Sequence, residues 1–160
     1  MKSEMPDSAW SLHPQLEHDT VPVGDLALSR VLAIDDADYP WLVLVPRRLK
    51  HDPEKWQPVF GKDHAQSAVT EIIDLSAADA ALLMSEIAQV SRVLKTVTNC
   101  DKLNIAAIGN VVPQLHVHIV ARWKGGPLWP KPVWGMRPVR PGDAAKFARF
   151  AAEIKEQLGI

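Results

Sequence analysis

The run Gln114, Leu115, His116, Val117, His118, Ile119 alternates polar and apolar side chains without a break. A strand satisfies that pattern, because successive side chains leave opposite faces. Leu115, Val117 and Ile119 then point into a core, while Gln114, His116 and His118 project together on the other face. Two imidazoles and an amide are thereby gathered on one surface. Imidazole, with an unperturbed pKa of about 6.5, serves as a neutral nucleophile, a proton carrier or a metal ligand. The same spacing also suits solvated histidines on a half-exposed strand, so spacing alone assigns no role.

The rest of the chain fixes the company this strand keeps. Leu26 to Ile34 and Trp41 to Val45 are rich in Val, Leu and Ile and flank the polar stretch Asp35–Asp38, which predicts two adjacent strands joined by a short turn. Pro46 closes the second strand, since it cannot donate to a ladder, and Arg47, Arg48 and Lys50 form a basic exit. From His51 to Ala65 the sequence is polar with no sustained period and predicts a surface excursion. Ser76 with Asp79 is a capping-box-like start. The apolar stripe Leu83, Ile87, Val90, Leu94 behind it predicts a helix. A second helix is predicted over about 143–158, with Phe147, Ala151, Ile154 and Leu158 on one stripe and Gly159 as its left-handed cap. Between the helices, Leu103 to Ile108 and Leu115 to Ala121 read as strands joined through Gly109, Asn110 and Pro113. The connections are too short for repeated parallel crossovers. The expected fold class is α+β, an antiparallel β-sheet with two main helices.

Composition narrows the function. At 160 residues, with no visible repeat, the chain is expected to form a single domain over 1–160. Its 18 basic and 19 acidic residues leave a net charge of −1, which disfavours charge-driven nucleic-acid or membrane-surface binding. The lone Cys100 excludes an intramolecular disulfide and a cysteine-paired zinc ribbon. Met1 to Trp10 is acidic and polar, unlike a secretory signal, and no apolar run approaches a membrane span, so a cytoplasmic protein with no membrane and no stable nucleic-acid partner is expected.

The run Gln114 to Val120, preceded by Gly109, Asn110, Val111, Val112 and Pro113 and followed by Ala121 and Arg122, resembles the signature of the histidine triad superfamily of nucleotide hydrolases and transferases. Upstream, Ile34 to Trp41 and the run ending Val45, Pro46, Arg47 resemble that family's nucleotide-side strand pair. The resemblance spans about 26–122. It implies a HIT-like fold, commonly a homodimer, which binds a nucleotide beside the histidine strand. The middle histidine, here His116, would attack the α-phosphorus to form a nucleotidyl-histidine, which water or another acceptor discharges. An attacking nitrogen must be unprotonated, and a hydrogen bond from the other ring nitrogen to a carbonyl would fix that tautomer. His118 would donate to a phosphate oxygen. No cofactor and no protein-bound metal is implied.

Three positions depart from the family pattern. Gln114 stands at the first triad position, where an amide can still donate a hydrogen bond but cannot titrate near neutrality. Trp41 falls where several branches have another phosphate-side histidine, and Val111 where some place a hydroxyl. Further candidates are Asp35, at a position where the family hydrogen-bonds ribose hydroxyls, with Asp36 as its weaker alternative, Asn110, which would hold phosphate or nucleophile in place, and Asn104 as a phosphate-side donor. All four residues equally suit turns or structural bonds. Trp123, Trp129 and Trp134 lie in a run stiffened by Pro127, Pro130 and Pro132. That run either covers the cleft or supplies a base-stacking surface, or else packs onto the domain or its dimer partner. Arg47, Arg48 and Arg122 either attract phosphate or are solvated strand ends, and His13, His18, His51 and His64 are read as surface residues.

Two other classes compete with a nucleotide hydrolase or transferase. In a metal-dependent hydrolase or oxygenase, His-x-His would supply two ligands and His64 or a carboxylate a third. A catalytically silent nucleotide sensor would keep the pocket and lose turnover through Gln114.

Overall fold

The computed structural model describes residues 10–49 and 68–160. Lys50, the stretch from His51 to Ala65, and with it His64, lie outside the described residues. The order of elements is α1 (Pro14–Asp19), β1 (Val21–Asp25), β2 (Ser29–Ile34), β3 (Trp41–Pro46), a 3-10 turn (Ile72–Asp74), α2 (Ala77–Thr98), β4 (Lys102–Ala106), β5 (Val117–Arg122) and α3 (Ala144–Leu158). The strands form one five-stranded sheet in the order β1-β2-β3-β5-β4, every pair antiparallel. This is the α+β architecture expected from the alternation of strand and helix patterns.

The start of α2 and both ends of α3 fall where the sequence signals stand. The Ser76 hydroxyl accepts from the Asp79 N–H, and Asn99, left-handed at φ 50°, closes α2. Asp143 caps α3 through the Lys146 N–H, and Gly159, at φ 70°, ends it. Leu83, Ile87, Val90 and Leu94 from α2 and Ile154 and Leu158 from α3 bury against Val31, Leu42, Leu44, Val117 and Ile119 on one sheet face. Each such side chain contributes about 1.5–3 kcal/mol on leaving water.

A second apolar layer covers the opposite face. Leu16 of α1 and Val133 of the Trp- and Pro-rich run pack on Leu32, Trp41, Val43, Val45 and Val120. Hence all six residues of β3 are buried, which is why that strand reads as a continuous apolar run and not as an alternation. The run from Trp123 onward thus packs onto its own domain.

One strand was not signalled by periodicity. β1 contains Pro22 and Gly24, both poor strand formers, and it is tolerated because it lies at the sheet edge with a bulge between them. Gly24 is needed for closeness: a Cβ there would sit 2.8 Å from Ile160 Cγ1. The strand expected from Leu26 starts instead at Ser29, because the Leu28 and Ser29 N–H groups donate to the buried carboxylate of Glu86 on α2, at 2.7 and 3.0 Å, and form a turn. β5 also starts later than expected. Gln114 to His116 precede the ladder, and the Leu115 N–H donates to Val69 O at 2.8 Å. No helix among the described residues is long and apolar enough to cross a membrane.

Candidate functional site

His116 and His118 stand side by side, ring centroids 4.9 Å apart at 72°. The alternation that began as a sequence pattern carries through the junction into β5: Leu115, Val117 and Ile119 belong to the helix-side core. The two imidazoles share the other side.

Each ring has its tautomer dictated by a partner with one possible role. His116 Nδ1 lies 2.6 Å from the main-chain oxygen of Gln114. A carbonyl can only accept, so Nδ1 carries the proton and the neutral ring keeps its lone pair at Nε2. For His118 the polarity is reversed. The Trp41 indole N–H, which can only donate, points at His118 Nδ1 at 3.0 Å. The neutral ring therefore holds its proton on Nε2. Burial of His118, with the neighbouring His116 second, pushes its pKa down to about 4. With both rings neutral, one imidazole offers a lone pair and its neighbour offers an N–H.

Aromatic rings flank His118. Trp41 meets His118 edge-on at 5.7 Å, and Trp134 meets His118 at 5.8 Å and Trp41 at 6.1 Å. Trp41, noted in the sequence only as a departure from a histidine position, here fixes the His118 tautomer. His116 also lines a cleft of about 240 Å³ whose other walls include Thr70–Ile73 and Ala107–Gly109. Among the described lining residues one carboxylate, Glu71, and no lysine or arginine appears.

The remaining sequence candidates are placed elsewhere. Gln114 is 4% exposed, and its amide is occupied at both ends: Oε1 accepts the His13 main-chain N–H at 2.8 Å and Nε2 donates to Ser11 O at 3.0 Å. Of the two acceptors expected for this amide, phosphate or backbone, Nε2 meets backbone, in the chain's N-terminal arm. Asn104 accepts from Arg122 at 2.8 Å. Arg122, 2% exposed, is no solvated strand end: its guanidinium also donates to Pro127 O and Lys131 O and lies over the Tyr39 and Trp129 rings, which fastens the Trp-rich run to the sheet. Asp35 accepts from the Gly142 N–H, and Asp36 pairs with Arg137. Both follow Ile34, which the sheet register sets level with Val120, about 13 Å along the strand from His116 at 3.3 Å per residue. Asn110 is exposed in the turn beside the cleft residue Gly109.

Sequence reasoning missed the arm. His13, read as a surface residue, caps α1 by accepting the Gln15 N–H and reaches Gln114 through its backbone. The signal was present in Pro14 at the first helical position. For the metal reading, among the described residues no group of three or more His, Cys, Asp or Glu is placed to hold an ion.

Comparison with known proteins agrees with this geometry. The family model described as the HIT domain matches residues 15–125. Among solved structures, a histidine triad protein from Bradyrhizobium japonicum is 49% identical, with a TM-score of 0.78 over 93% of this chain and 98% of its own. A histidine triad protein from Sinorhizobium meliloti is 36% identical, with a TM-score of 0.77 over 92% and 96%. One from Marinobacter aquaeolei is 34% identical, with a TM-score of 0.77 over 94% and 96%. No curated protein matches the sequence. With a domain match over most of the chain and a half-identical relative of the same shape, this chain belongs to the histidine triad family.

Proposed function

We propose that the protein is a nucleotide hydrolase or transferase acting at the α-phosphate of a nucleoside phosphate derivative, with His116 as nucleophile. Family membership supports nucleotide binding and phosphate chemistry in general. The observation that carries the finer reading is the His116–Gln114 hydrogen bond, which in the neutral ring places the lone pair on Nε2.

In this reading Nε2 attacks phosphorus, the bond to the leaving group breaks, and the leaving group departs with that electron pair. The Nδ1 proton remains held by the Gln114 carbonyl as the ring becomes cationic, so positive charge on the ring is matched by a fixed dipole. His118, neutral and with its proton on Nε2, donates to a non-bridging phosphate oxygen. Water or another acceptor then attacks phosphorus as the P–Nε2 bond breaks, its proton passing to solvent and the electron pair returning to Nε2, which regenerates His116. A nucleoside phosphoramidate or a dinucleoside polyphosphate has the chemistry this step requires. The protein acts as a homodimer in this proposal, supported by apolar side chains along the β4 edge and its extension: Ile105 is 47%, Ile108 40% and Val111 89% exposed.

The test is mass spectrometry of protein quenched during incubation with a panel of adenosine and guanosine phosphoramidates and dinucleoside polyphosphates. One nucleoside monophosphate added at His116 is expected. Turnover without an adduct on His116, or tight binding without phosphate release, would refute it.

A further inference from the structure

We infer that Gln114 is a positioning residue through which the N-terminal arm, Ser11–His13, holds the nucleophile's ring in its reactive tautomer. The inference rests on the reading of His116 as nucleophile.

The argument begins with one peptide unit. The carbonyl of Gln114 accepts the His116 Nδ1 proton, and the N–H of the same peptide plane, that of Leu115, donates to Val69 O. The plane that orients the nucleophile is therefore pinned on its N–H side by the segment leading into α2. On its carbonyl side the adjoining Cα carries the Gln114 side chain, and this is where the arm acts. Ser11 O and the His13 N–H bind the two ends of one amide, at 3.0 and 2.8 Å. An amide is the side-chain group that offers a donor and an acceptor side by side, as a peptide does, so it pairs with an extended stretch of backbone. The arm is itself seated. Leu16 is buried in the second core with Trp10 and Leu12 packed around it, and the His13 ring caps α1. Seating of the arm, clasp on Gln114 and direction of the carbonyl thus form one connected series of bonds ending at the His116 lone pair.

This accounts for a glutamine where the family signature has histidine. An imidazole at position 114 could donate from one nitrogen and accept at the other, but these point away from each other across the ring and cannot clasp Ser11 and His13 together. Gln114→His is accordingly expected to slow the enzyme, not to improve it.

The decisive comparison is made at His13, whose φ of −59° matches the fixed angle of proline. His13→Pro removes the main-chain N–H that Gln114 Oε1 accepts, whereas His13→Ala loses the same ring and keeps the N–H. The difference between the two variants is therefore the clasp. Two quantities are read: the single-turnover rate of His116 labelling with the panel above, and the His116 tautomer from its ring ¹⁵N shifts. His13→Pro is expected to label more slowly than His13→Ala by on the order of tenfold to a hundredfold, with the half-saturating nucleotide concentration little changed. Its His116 spectrum should pass from a single Nδ1–H tautomer to a mixture. Gln114→Met, which fills the same volume without hydrogen bonds, should behave as His13→Pro does and replaces it should that variant fail to fold. Equal rates in the two His13 variants together with an unchanged tautomer in Gln114→Met would overturn the inference. If the wild-type protein labels with nothing, the reading of His116 as nucleophile fails separately. The tautomer measurement then still decides whether the arm orients the ring.

Discussion

His116 and His118 are the same residue type, two positions apart, and the structure gives them opposite tasks by giving them opposite partners. A carbonyl on Nδ1 of one and an indole N–H on Nδ1 of the other set the two Nε2 atoms as acceptor and donor. His116→Ala is expected to abolish nucleotide labelling while leaving much of the ground-state binding, since only the covalent step is lost, as quenched-flow and equilibrium binding would show. His118→Ala should retain a measurable rate lowered by about a hundredfold, the scale for losing one donor to a developing oxyanion. Titration of His118 by NMR is expected near pH 4. Because protonation there would place a second donor against the Trp41 indole, Trp41 fluorescence should change over the same pH range.

At the scale of elements, buried polar side chains tie segments that have no regular structure of their own. Arg122 holds the Trp-rich run through carbonyls and ring faces, without a carboxylate partner at its guanidinium among the described residues. Arg122→Met is expected to cost about 2–4 kcal/mol, since two carbonyls and Asn104 lose a charged donor, and to expose the 127–134 segment to amide exchange. Glu86 plays the same part for the β1–β2 turn. Glu86→Ala leaves two main-chain N–H groups buried without acceptors and should lower stability by a similar amount in urea unfolding. Both are cases where a residue with no periodic partner governs a loop, which is why neither followed from the helix and strand patterns.

For the whole molecule, the folded value of His118 lies below its unfolded value of about 6.5. Between pH 6.5 and about 4 the unfolded chain binds a proton that the native chain refuses, so stability falls as pH drops through that window and levels off below it. The linkage amounts to at most about 3 kcal/mol, and thermal unfolding from pH 7 to 4 should show it; His118→Ala should flatten the curve. Asp36, held below the usual carboxylate range by Arg137 and main-chain N–H groups despite its burial, contributes stability that is lost at still lower pH. The amino-acid sequence determined the local pieces: the alternation around His116 and His118, the apolar stripes and caps of α2 and α3, and the α+β order, because period and capping act over a few neighbouring residues. It also carried the family resemblance. Only the tertiary structure decided what the polar candidates do, turning Gln114 toward the arm, Asn104 toward Arg122 and Trp41 toward His118. A hydrogen-bond donor finds its acceptor across a hundred residues as readily as across four, and linear order holds no record of that choice.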